Sequence, residues 1–129
     1  MNAKTLLIVT ALIEMGTGVA LLVVPSLIVD LLLGEGLTAL PAIVVARIAG
    51  AALIAIAVAC WFQRNGERRA QAGLVAGMLI YNFAVPVLLI QSWVVSSLAG
   101  LGLWPASVLH TALAIWCVVC LRPRLNHEG

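Results

Sequence analysis

The stretch Thr5 to Val24, TLLIVTALIEMGTGVALLVV, decides how the rest of the chain is read. A bilayer core about 30 Å thick takes roughly 20 apolar residues of helix, and this run has that length. Near its middle stands one carboxylate, Glu14. A charge at the bilayer centre costs about 2.5–3.5 kcal/mol on insertion scales, so such a side chain turns to a protein interior and takes a partner there. Lys4 ahead of an apolar run also has the outline of a signal peptide. Glu14 interrupts that run and no small-x-small cleavage site follows, so the expectation is an uncleaved first span.

The rest of the chain has the same character. Of 129 residues, 64% are hydrophobic and 9% charged, and the mean hydropathy is +1.17, which places the chain with integral membrane proteins and not with soluble domains. Its length holds four spans with short connections and leaves no room for a soluble domain. A net charge of +2 without a basic run gives no support for nucleic-acid binding. Cys60, Cys117 and Cys120 are odd in number and lie within apolar segments, unlike a secreted disulfide framework. Cys117-x-x-Cys120 has the spacing of a redox or metal half-site, but no fourth ligand accompanies it and no metal is expected. The chain contains no phosphate-cradling glycine loop, nucleophile elbow or His-Glu-x-x-His.

Span 1 is expected over 5–24, ended or kinked by Pro25. Pro25 to Gly34 is too short to cross and reads as an interfacial helix or a bent continuation, closed by the Gly34-Glu35-Gly36 turn. Span 2 covers 41–62 and carries Arg47 and the small-residue ladder Ala51, Ala55, Ala59, suited to close helix approach. The polar connector Gln63 to Gln71 follows, with Asn65-Gly66 as its turn signal. Span 3 covers 72–90, with a Gly73-x-x-x-Gly77 pair as a candidate helix contact, Tyr81 and Asn82 at its centre, and Pro86 as a bend. Residues 91–104 read as a connection with Trp93 and Trp104 in an interfacial belt, and span 4 covers 105–121, stopped by Arg122-Pro123-Arg124. His127 and Glu128 read as solvated. The fold class is thus an all-α membrane protein, an antiparallel four-transmembrane-helix bundle in a single domain, with a short interfacial helix after span 1.

Lys4, three arginines of the middle connector and two of the tail lie on one side of this arrangement, and the other two connections hold no Lys or Arg. The positive-inside rule then sets both termini in the cytoplasm of a bacterial-type inner membrane. Counted at ~1.5 Å per residue from the cytoplasmic ends, Glu14 lies roughly 14 Å deep, His110 about 17 Å, Asn82 about 18 Å and Arg47 about 22 Å. Each span contributes one member of a polar layer. The expectation is an ion pair between Glu14 and Arg47, completed by Asn82 and His110, with Tyr81 and Trp116 lining any cavity beside it. One reading of the layer is interhelical glue; the other is a midplane pocket for the polar head of an apolar ligand such as a quinone or isoprenoid.

Glu14 followed by Gly18, Leu-Leu-Val-Val-Pro-Ser leading to Leu-Leu-Leu-Gly, Arg47-x-x-Gly50, Tyr81-Asn82 and Leu109-His110 together resemble short bacterial four-span proteins of the broad DoxX-like kind. That resemblance spans most of the chain. It implies an accessory role beside membrane oxidoreductases acting on the quinone pool, with quinone or lipid as the molecule bound. It leaves open whether any reaction is catalysed. A non-catalytic assembly subunit is the alternative, with a second copy or a larger membrane complex as partner. A proton-coupled transporter is the third reading, since small multidrug exporters are similar in length and also carry a carboxylate midway along the first of four helices. Two features oppose it: Arg47 as a neutralising partner of Glu14, and the one-sided charge distribution, which implies a single fixed orientation.

Overall fold

The computed structural model describes residues 2–125, which form five α-helices and no strand; His127 and Glu128, expected to be solvated, lie outside the described residues. Helix α1 (Ala3–Val23) starts at Asn2, whose side chain accepts a hydrogen bond from the Lys4 amide at 3.0 Å. Pro25 has no N–H to continue the ladder, so α1 stops and a second helix, α2 (Pro25–Leu33), begins with that proline in its first turn. Gly34, at φ 78°, closes α2 in the left-handed conformation that glycine adopts without strain. Then follow α3 (Leu40–Gln63), α4 (Arg68–Ser96) and α5 (Leu103–Leu125).

Helices α1, α3, α4 and α5 are each long and apolar enough to cross a membrane, whereas α2, with nine residues, spans only about 13 Å. At most a third of each crossing window is buried within the chain. The remaining surface, with Ile80 71% exposed and Ile48 63%, is apolar and suits lipid. The all-α bundle with a short helix after the first span is therefore as expected. Two boundaries differ. Helix α4 runs on through 91–96, because that stretch is uncharged and holds no breaker before Ser97, and α5 continues past Pro123 to Leu125.

Within the bundle α1 packs along α3 and α4 along α5, and the two pairs join most closely at one end. Gly18 and Gly50 set the first seam: a Cβ on either would stand 2.7 Å from the other's carbonyl oxygen. That contact does the work expected of other small residues. Ala51, Ala55 and Ala59 are exposed, and Gly73 and Gly77 have nothing within 4 Å of a Cβ position, so neither series packs inside this chain. The buried stripe of α3 is Gly50, Leu53, Ala57 and Cys60, on a different face of the helix.

All four long helices meet at the end bearing the amino terminus and the 64–67 turn. Leu6, Leu7 and Ala11 of α1, Cys60 of α3, Val75 and Met78 of α4, and Leu113 and Cys117 of α5 form one buried cluster, with Cys120 packed against it. Gln71 ties off α3 there, its amide donating to the carbonyls of Gln63 and Arg64 at 3.0 and 3.1 Å. Arg64 stacks over the Trp61 ring, 4.1 Å from its centroid, and donates to the Trp61 carbonyl. At the opposite end the two pairs are joined by backbone. The Gly100 and Gly102 amides donate to the Leu32 and Leu31 carbonyls at 3.1 and 2.7 Å, satisfying the open end of α2. A Cβ at Gly100 would lie 2.2 Å from the Leu31 oxygen, so this approach requires glycine. Trp93 and Trp104 stack edge to face beside it, with centroids 5.3 Å apart.

Candidate functional site

Helical spacing places Thr10, Glu14 and Thr17 on one face of α1, and the structure turns that face inward. Glu14 is fully buried at 1% exposure. Its Oε2 accepts a long hydrogen bond, 3.4 Å, from the Tyr81 hydroxyl of α4, and its Oε1 has no partner among the described residues. The Tyr81 ring meets the His110 ring of α5 edge to face, 5.5 Å between centroids at 84°. On the other side of His110, Nδ1 lies 2.7 Å from Asn82 Oδ1.

The Asn82 amide fixes the direction of that last contact. Its Nδ2 donates to the Met78 carbonyl at 2.8 Å, so the oxygen is the end that faces His110, and the imidazole must donate from Nδ1. In the neutral ring Nε2 then carries the lone pair, and it has no partner among the described residues. Pro86 adds to the polarity at this level, because it lacks the N–H that would otherwise bond the Asn82 carbonyl four residues earlier. The result is a continuous polar layer of Glu14, Tyr81, His110 and Asn82.

Arg47 is not part of it. The side chain is exposed on α3 and makes no hydrogen bond or ion pair with a described residue. The Gly18–Gly50 register explains the failure of the expected Glu14–Arg47 pair. Glu14 lies four residues from that crossing toward one end and Arg47 three residues from it toward the other, an axial separation of about 10 Å. Arg47 also points away from the seam. Trp116, expected at a cavity wall, instead packs on the core cluster, with its indole Nε1 buried and without a partner among the described residues.

A cavity of about 520 Å³ opens on the side of the layer away from the core cluster. It lies between the helix pairs and is walled by residues of all five helices, including Ile13, Leu53, Val85 and Leu109, with Ile28 and Leu31 of α2 also in its wall. Tyr81 and His110 reach it; Glu14 and Asn82 stand behind them, and Thr17 is the further polar side chain in the wall. Its size falls within the ~300–1,000 Å³ range usual for small-molecule sites, and its character, an apolar wall with a few convergent polar groups, is also theirs. Thr17, and Thr10 with no partner among the described residues, are further polar members of this face of α1, and their spacing from Glu14 is the sequence signal for them. Among the described residues no group of three His, Cys, Asp or Glu side chains is arranged to hold a metal ion. No family model, curated protein or solved structure matches the chain.

Proposed function

We propose that this protein binds a lipid-like or quinone-like molecule within the membrane, its polar head against Tyr81 and His110 and its apolar body in the cavity between the helix pairs. The observation that carries this reading is the cavity itself, apolar but for the polar groups that converge at Tyr81, His110 and Thr17. In the setting suggested by the DoxX-like resemblance, it serves as an accessory subunit of a membrane oxidoreductase system, in a bacterial-type inner membrane with both termini cytoplasmic. Ala106→Phe, which places an aromatic ring into the cavity from α5, tests the reading in nanodiscs. Binding of a short-chain quinone or prenyl lipid, measured by native mass spectrometry, is expected to fall at least tenfold while helicity is retained. Binding unaffected by Ala106→Phe contradicts the reading.

One observation favours a second role, as an assembly partner. Ala51, Ala55 and Ala59 lie on the same face of α3 as Arg47, which has no partner among the described residues, and Gly73 and Gly77 are likewise open to the outside. These small-residue faces suit another helix. A single-chain mass in native lipid with no co-purifying protein contradicts this role. The transporter reading is altered as well. Glu14 has no Arg47 to neutralise it, so the remaining argument against proton coupling is the one-sided distribution of Lys and Arg. Glu14→Gln is expected to leave substrate flux in proteoliposomes unchanged.

A further inference from the structure

We infer that the cavity selects for a head group that donates a hydrogen bond, a hydroxyl, over one that can only accept. The inference rests on the ligand-binding reading above and follows from accounting for the protons at the polar end. The Asn82 amide, held by the Met78 carbonyl, takes the imidazole proton at Nδ1. Asn82 is wholly buried and outside the cavity wall, so the ring edge that His110 offers the cavity is the one bearing Nε2, an acceptor. The Tyr81 hydroxyl has its proton turned toward Glu14, which leaves an oxygen lone pair for the cavity. Two groups on two helices therefore present acceptors side by side. Thr17 is the one hydroxyl in the wall with no partner among the described residues; it turns as donor or acceptor and follows the ligand without selecting it.

An anionic head is disfavoured by the same wall. No Lys or Arg stands in it, so an anion entering the cavity would lose its hydration without a counter-charge. A neutral alcohol or quinol on an apolar chain donates to His110 Nε2 or Tyr81 Oη and accepts from Thr17. An ether or a quinone offers acceptors to acceptors and leaves the imidazole nitrogen unpaired. In this scheme Asn82 is a positioning residue, since it holds the imidazole in the tautomer that makes Nε2 an acceptor.

The experiment compares geranylgeraniol with its methyl ether, which shares the apolar chain and lacks the donor. Both are titrated against the full chain in nanodiscs. The expected result is roughly tenfold tighter binding of the alcohol, the value of about one hydrogen bond left unmade. Asn82→Leu is expected to reduce that ratio toward one by releasing the tautomer, while the ether's affinity holds. Equal binding of alcohol and ether, with both lost in Ala106→Phe, overturns the donor preference and leaves the cavity reading standing. Binding of neither compound, or binding indifferent to Ala106→Phe, overturns the cavity reading and this inference with it.

Discussion

The two halves of this bundle are built from the same apolar residues and differ in what those residues meet. Toward the amino terminus, side chains from α1, α3, α4 and α5 interlock around Leu7, Val75 and Cys117, each at 0% exposure. Toward α2 the same helices diverge around a cavity of about 520 Å³. The polar layer of Glu14, Tyr81, His110 and Asn82 lies at the boundary. Hydrophobicity therefore does not separate the two halves; contact between helix pairs does. On one side all four helices close on one another, and on the other the pairs are held apart and bridged by the backbone bonds of Gly100 and Gly102 to α2.

The sharpest way to break this comparison is to truncate one leucine in each half. Leu7→Ala removes atoms from close packing and is expected to destabilise the bundle by about 2 kcal/mol or more, read from unfolding in mixed detergent. Leu89→Ala, in the cavity wall, enlarges a space that already exists and is expected to cost less than about 1 kcal/mol. Equal losses would mean that the cavity half is as tightly packed as the core.

The bridge over the open half comes next in size. Gly100→Val sets a side chain against the Leu31 carbonyl and is expected to cost about 1–2 kcal/mol and to raise hydrogen exchange at the α2 amides. Exchange at α2 unchanged by Gly100→Val would show that α2 is held by its side chains instead. The smallest effect concerns the pair that does not form. A double-mutant cycle with Glu14→Gln and Arg47→Leu is expected to give a coupling below about 0.5 kcal/mol, since the two groups share no contact. A coupling above about 1 kcal/mol would restore the ion pair.

Much of the fold was legible because lipid imposes it. Length and hydropathy give four crossings, Pro25 and Gly34 mark off the short helix, and the residues of the polar layer stand out as expensive in hydrocarbon. Three of the four residues assigned to one depth do assemble. Arg47 does not, because a count along the axis gives depth but not the direction in which a residue faces. In helices this uniformly apolar the sequence carries little amphipathic signal to supply that direction. For the same reason the small-residue ladder Ala51, Ala55 and Ala59 does not mark the helix contact, and the close approach lies at Gly18 and Gly50. The cavity was hidden for another reason: it depends on how far apart two helix pairs stand, which no single segment encodes.

The central claim, that the open half holds an apolar molecule with its head at the polar layer, is tested most directly by photolabelling in native-like lipid. A prenyl alcohol bearing a diazirine on its chain, activated after equilibration and mapped by mass spectrometry, is expected to label inward residues such as Leu53, Val85 and Leu89, with labelling suppressed by Ala106→Phe. Adducts confined to outward residues such as Ile48 and Ile80, and indifferent to that substitution, would contradict the account.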